Sequence, residues 1–387
     1  MRSICLVLSQ SVYFDYNATA PLDPQVRGAM LPFLDGIFGN PSSLHRAGQQ
    51  ARLALDGARD RVAQVWRCKP SEVVFTSGGT ESNNMAIFGA ARRLKPRGRH
   101  LITTAIEHHA VLNCFESLAA KEGFELTTLP VTREGYVTVE SLAHALRPDT
   151  VLVSIMAANN ETGALQPVAD LGALCRERGV VFHTDAAQWF GKEPVESIGQ
   201  FNADLVSFCA HKLYGPKGIG ALYVQSGVVL EPLFQGGGHE NERRAGTENL
   251  AAIAGLAEVM DHFVRVPVFP KERLMGLTEG LRTSLMRLPG MKVVTPMAQR
   301  LSNTVAVTIQ GCDSATVLAG LDLEGVCASS GSACTAGSVQ PSHVLKAMGL
   351  EGGAMVRFSL GRESTCAEVE RAVRSLETVI NRIIGVQ

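Results

Sequence analysis

Between residues 72 and 224 the chain alternates between short β-rich apolar runs and stretches with helical spacing, and this alternation narrows the fold more than any other feature. Strand-like runs fall at 72–76, 100–106, 125–131, 151–157, 180–184, 204–208 and 221–224, with helix-like segments at 80–94, 110–121 and 168–178 between several of them. Strands that recur with helices between them predict an α/β unit whose sheet is mainly parallel, because parallel neighbours need long crossovers. The run 151–157 is nearly all apolar, as a strand covered on both faces must be.

At 387 residues the chain exceeds what one simple core usually organises, so a second unit is expected. The stretch VPVFP at 266–270 marks the boundary, after a long helical pattern at 249–263. Beyond it follow a helix at 271–288, strands around Val293 and Val305, a helix at 314–323, a loop at 329–338, a strand at 355–360 and a closing helix at 367–384. Ahead of the alternating region lie a strand-like piece at 12–14, a helix at 25–34, a break at 39–43 and a helix at 49–66. The expected division is a large α/β unit over 21–262 and a smaller α+β unit made from 1–20 and 263–387.

A net charge of −1 offers no basic field for nucleic acid, and no apolar run is long enough for a bilayer. The nine cysteines are an odd, scattered set without a C-x-x-C pair, which fits free thiols in a reducing compartment and argues against structural zinc. The apolar patch in the first twelve residues is too short for a secretory signal, so a cytoplasmic protein is expected.

Chemistry-bearing residues gather just after the predicted strands. The first run leads into Ser77-Gly78-Gly79-Thr80 at a helix start, where free N–H groups and the helix dipole suit a phosphate. The next strand is followed by Glu107-His108-His109, another by Asn159-Asn160-Glu161-Thr162-Gly163, and another by Asp185-Ala186-Ala187-Gln188. The run 204–208 leads to Cys209, His211 and Lys212, then to a glycine-rich turn. Alone, each reads as a cap, a turn or a solvated lysine. Together, at strand ends where open α/β sheets bind ligands, they read as one site. In the second unit, the loop 329–338 is built of small residues around Cys334, so its thiol is expected to be accessible and the loop mobile. Cys327 reads as core, and Arg357 in RFSLGR is suited to clamping a carboxylate.

In order along nearly the whole chain, the motifs YFDYNATAPLDP, FGNPSS, FTSGGTESNN, EHHAVL, NNETG, DAAQ, SFCAHKLYGPKGIGALYV, GGGHENERRAGTEN, SSGSACTAGS and RFSLGR resemble the cysteine desulfurases of the NifS/IscS type. These belong to the class V aminotransferase group of pyridoxal-phosphate enzymes. The resemblance implies a fold-type I pyridoxal-phosphate transferase. It implies that Lys212 carries the cofactor as a Schiff base, that Asp185 pairs with its ring nitrogen and Gln188 with its ring hydroxyl, and that His108 stacks on the ring and moves protons. Gly79, Thr80, Cys209 and His211 would surround the phosphate, with Cys209 standing where the family usually has serine. Thr247 would reach the phosphate of a neighbouring subunit in a homodimer, and Asn160 and Arg357 would hold the substrate carboxylate.

Cys334 would be the nucleophile that takes sulfur from L-cysteine as a persulfide and leaves L-alanine, before passing sulfur to an iron–sulfur scaffold protein or another acceptor. No resident metal is implied, although Cys334 is placed to ligate a transferred cluster. The loop motif leans toward the nitrogen-fixation-associated branch. Selenocysteine lyase or another class V activity is the enzymatic alternative. A sulfur carrier or metal scaffold using Cys327 and Cys334 is the non-enzymatic one.

Overall fold

The computed structural model describes residues 11–331, 342–350 and 352–385. Its centre is a seven-stranded sheet in the order β2-β8-β7-β6-β5-β3-β4. The strands are β2 (Val73–Thr76), β3 (His100–Thr104), β4 (Glu125–Leu129), β5 (Thr150–Ser154), β6 (Val181–Asp185), β7 (Leu205–Cys209) and β8 (Gly220–Val224). Strand β8 is antiparallel to both β2 and β7, and the remaining pairings are parallel. Six strands therefore point the same way, and their carboxyl ends share one edge.

Period-two alternation assigns the two faces. Leu101, Leu152, Leu205 and Leu222 pack with Ile87, Phe115 and Leu118 from helices Gly79–Leu94 and His109–Glu122. Their neighbours Ile102, Val153, Val206 and Ala221 face the other way. They join a core with Leu55, Trp66, Leu171 and Leu256 from helices Arg46–Trp66, Val168–Glu177 and Leu250–Phe263.

A three-stranded antiparallel sheet follows in the order β12-β10-β9, formed by β9 (Met291–Val293), β10 (Thr304–Ile309) and β12 (Ala354–Ser359). Val305, Val307 and Ile309 pack against Leu281, Leu321 and Leu376 from helices Lys271–Leu285, Ser314–Leu323 and Cys366–Ile384. A capping box between Thr365 and Glu368 starts the last of these. The N-terminal strand β1 (Val12–Tyr13) pairs in parallel with β11 (Val326–Cys327). Asp15 bridges to Ser359, so the first described residues lie against the smaller sheet.

The structure corrects some expected boundaries. The helix expected over 25–34 is two pieces, Pro24–Met30 and Pro32–Asp35, because Pro32 has no N–H to continue the first. The strand expected over 151–157 stops at Ser154, and residues 155–157 carry the chain toward the site. Cys327, expected in the core, is half-buried on the short strand β11.

Candidate active site

One cleft at the carboxyl edge of the large sheet is lined by Gly79, Thr80, His108, Asn160, Asp185, Gln188, Cys209, His211, Lys212 and Arg357. These are the expected site residues from five different strand ends and from β12. Register explains their meeting. Asp185 pairs with Ser207, while Gly220 pairs with both Cys209 and Thr76. A Cβ on Gly220 would lie 2.5 Å from the Phe208 carbonyl oxygen and 2.8 Å from Gly78 Cα. Only glycine lets the turn after β2 sit beside the end of β7. Gly78, at φ 149°, adopts a backbone that L side chains rarely take. It caps helix Gly79–Leu94 without any side-chain hydrogen bond, which leaves the start of that helix suited to an anion.

Cys209 is buried against Gly79, with Sγ 3.9 Å from where a Gly79 Cβ would be. Burial pushes its thiol up from the ordinary value, against the pull of the nearby Lys212. Lys212 follows in the short 3-10 turn His211–Leu213, which Tyr214 closes at φ 62°.

Asp185 is fixed by two donors. Asn83 Nδ2 donates to Oδ2 at 2.7 Å and the Ala187 N–H to Oδ1 at 2.9 Å. Asn83 was not anticipated from sequence. It stands one helical turn beyond Gly79, a spacing that puts both on one face and was readable in advance. His108 caps helix His109–Glu122 by accepting the Ala110 N–H at Nδ1, 3.1 Å away. Burial, and then Lys212, push its imidazole down to about 4, so near neutral pH it is uncharged and carries its proton on Nε2.

Arg357 is 1 % exposed. It donates to the carbonyls of Asn160 at 2.9 Å and Gly331 at 2.7 Å, and pairs with Asp15 at 2.5 Å. Its Nε has no partner among the described residues. A buried guanidinium N–H left without a partner costs free energy, and Arg357 lines the cleft.

Buried titratable groups crowd the region behind the cleft. Glu107 is fully buried, accepts from Met156 N–H and Thr104 Oγ1, and is pushed up to about 8 by burial first and Asp185 second. His183 lies between the Ser154 and Ser207 hydroxyls and is pushed down to about 4 by burial.

One expected residue is not in the cleft. Thr247 is exposed and lines a separate surface hollow with Phe234, Arg244 and Gly246. Cys334 lies outside the described residues. Among the described residues, no group of three or more His, Cys, Asp or Glu side chains is arranged to hold a metal ion. No helix among them is long and apolar enough to cross a membrane.

Similarity to known proteins agrees with this geometry. The chain is 43% identical over 380 residues to the cysteine desulfurase IscS of Dictyoglomus turgidum, covering 97% of this chain and 96% of that protein. It is 40% identical over 378 residues to the cysteine desulfurase IscS of Methanosarcina thermophila, covering 97% and 93%. Among solved structures, a NifS-like protein superposes with a TM-score of 0.90 at 36% identity, covering 96% of this chain and 100% of that one. The structure of SspA in complex with cysteine gives 0.81 at 36% identity, covering 92% and 100%. With the Aminotransferase class-V pattern matching residues 12–372, the chain belongs to the class V aminotransferase family.

Proposed function

We propose that this protein is a pyridoxal-phosphate-dependent cysteine desulfurase that takes sulfur from L-cysteine onto Cys334, releases L-alanine, and supplies the sulfur for iron–sulfur cluster assembly. The observation that carries this reading is one cleft holding an amine (Lys212), a doubly hydrogen-bonded carboxylate (Asp185) and a buried arginine (Arg357) whose Nε has no partner among the described residues.

The residues fit the cofactor. The uncapped start of helix Gly79–Leu94, with Thr80 and His211, suits the phosphate. Asp185 suits the ring nitrogen and Gln188 the ring oxygen. Asn83 Oδ1, buried and without a partner among the described residues, leaves further polar capacity beside Asp185. When bound there, pyridoxal phosphate supplies the electron sink that makes the substrate Cα–H acidic. The protein supplies the rest. Lys212 would hold the cofactor through its Nζ, and the same amine, when free, would remove the substrate Cα proton. Arg357 and Asn160 orient the substrate carboxylate. His108, uncharged with Nε2–H, exchanges a proton at the reacting end. Gly331, three residues before Cys334, lines the same cleft. Cys334 as a thiolate would take the sulfur, forming an S–S bond as the substrate C–S bond breaks; the electron pair of that bond stays on the substrate carbon, which takes up a proton to give alanine.

The reading includes a homodimer in which Thr247 serves the neighbouring subunit's phosphate site, with the units 21–262 and 1–20 plus 263–387 meeting at the cleft. In support, Leu34, Phe38, Leu44 and Leu53 are 63%, 83%, 91% and 74% exposed. So many large apolar side chains in one stretch of sequence favour a covered surface. The reading also includes a sulfur acceptor, an iron–sulfur scaffold protein or another acceptor.

The test is an absorbance spectrum of the purified protein with and without L-cysteine, followed by alanine assay and persulfide labelling. Cys334→Ala should retain the cofactor band and lose the persulfide. Unchanged sulfide release by that variant would sink the proposal.

A further inference from the structure

Lys192 is buried without any solvent exposure, and the chemistry above does not use it. Its Nζ donates to two side-chain oxygens, Asn17 Oδ1 at 2.6 Å and Gln188 Oε1. It also sits over the Phe269 ring, 5.5 Å from the centroid. Gln188 lines the cleft. Its amide is committed on both sides, because Nε2 donates to the Asn17 carbonyl at 2.8 Å while Oε1 receives Lys192. That leaves a single Nε2–H as the only donor Gln188 can still offer a ligand. Asn17 is itself held by Asn303 at Oδ1, 3.1 Å, and by Thr304 through Nδ2, 2.9 Å. The anchor is therefore tied to the smaller sheet.

A fully buried lysine is costly, since burial, with Lys212 and Arg357 nearby, drives its amine well below the ordinary lysine value. An apolar residue filling the same space would avoid that cost. The contacts Lys192 makes are what such a residue could not supply.

We infer that Lys192 is a positioning residue for the cofactor: by occupying the Gln188 side-chain oxygen, it holds the one remaining Gln188 N–H toward the cleft, where that N–H binds the oxygen substituent of the cofactor ring. Without Lys192, Oε1 is a buried acceptor lacking a donor. The amide then turns to satisfy it, and the contact to the ring oxygen is lost. The role is indirect, because Lys192 touches Gln188 and not the cleft.

The inference rests on the pyridoxal-phosphate reading, and its test separates the two. Affinity is measured for pyridoxal 5′-phosphate and for 3-deoxypyridoxal 5′-phosphate, which lacks the ring oxygen. In the unaltered protein the first should bind more tightly, and failure to bind either one refutes the cofactor reading itself. Lys192→Met should lower the preference for the hydroxyl-bearing cofactor about tenfold, the worth of one hydrogen bond to a charged oxygen. Gln188→Ala should lower it by the same factor. The double variant should lower it no further, as expected when two residues act through one contact.

Lys192→Gln keeps a polar donor in the pocket and so guards against failure to fold. Its shorter amide should lose part of the preference, about threefold. An unchanged preference in both Lys192 variants, or a double variant whose effect is the product of the singles, overturns the assignment.

Discussion

Replacing Cys209 by serine should tighten the grip on the cofactor. Cys209 ends β7, is 1% exposed, and lies against Gly79 where the uncapped helix begins. Its neighbours are Thr80, His211 and Lys212, so this is the corner suited to phosphate. A thiol is a weak donor, and burial keeps Cys209 protonated rather than anionic. A serine hydroxyl is nearly the same size and donates far better. A hydroxyl there has its O–H free for a phosphate oxygen. Hydrogen bonds to ionised groups are worth about 1.5–3 kcal/mol, and after subtracting what the thiol already contributes, about 1–2 kcal/mol remains. That corresponds to a cofactor dissociation constant about 5- to 30-fold lower. The assay is equilibrium titration of the cofactor-free protein, supported by the rate of cofactor release into a trap. Equal or weaker binding in Cys209→Ser would refute the reasoning and place the phosphate out of reach of position 209.

Three further outcomes follow from the same geometry. Arg357→Lys keeps the charge opposite Asp15 but loses the forked donor set, so KM for L-cysteine should rise at least tenfold with the cofactor band unchanged; a change in kcat alone would contradict carboxylate binding. His108, His183 and His211 are each pushed down to about 4 chiefly by burial, whereas the unfolded chain takes up those protons near pH 6.5. Their contribution to stability is thus fully present above pH 6.5 and lost as pH falls toward 4. Each costs up to about 1.4 kcal/mol per pH unit, so urea midpoints of the cofactor-free protein should fall steeply from pH 6.5 to 4.5. His183→Gln should remove about one proton from that linkage at pH 5, and a flat profile would refute the burial argument. Glu107 is pushed up to about 8, so it opposes folding increasingly as pH rises from 4.5 to 8. Glu107→Gln should therefore stabilise the protein more at pH 8 than at pH 5 by thermal unfolding, and equal shifts at both would show that Glu107 does not titrate in this range.

The alternation of apolar runs and helical spacing determined the α/β class and most strand positions, because burial on a pleated sheet demands a period of two and burial on a helix one of 3.6. The polar clusters after those strands were equally legible, and the cleft gathers nearly all of them. Local signals faltered where one residue overrode a pattern, as Pro32 does within the segment 25–34.

The sequence did not reveal the partners of those clusters. Asn83 on Asp185 and Asp15 on Arg357 join positions far apart in the chain, and no short-range period encodes those pairs; Lys192 lies four residues from Gln188, but nothing local marks that lysine as buried. Tertiary structure decided them because it alone sets the register, placing Gly220 between the ends of β2 and β7 and bringing the N-terminal segment against β12. The sequence by itself determined which side chains could carry the chemistry. The packing determined which hydrogen bonds hold them still, because a buried donor or acceptor must find its partner wherever the fold supplies one.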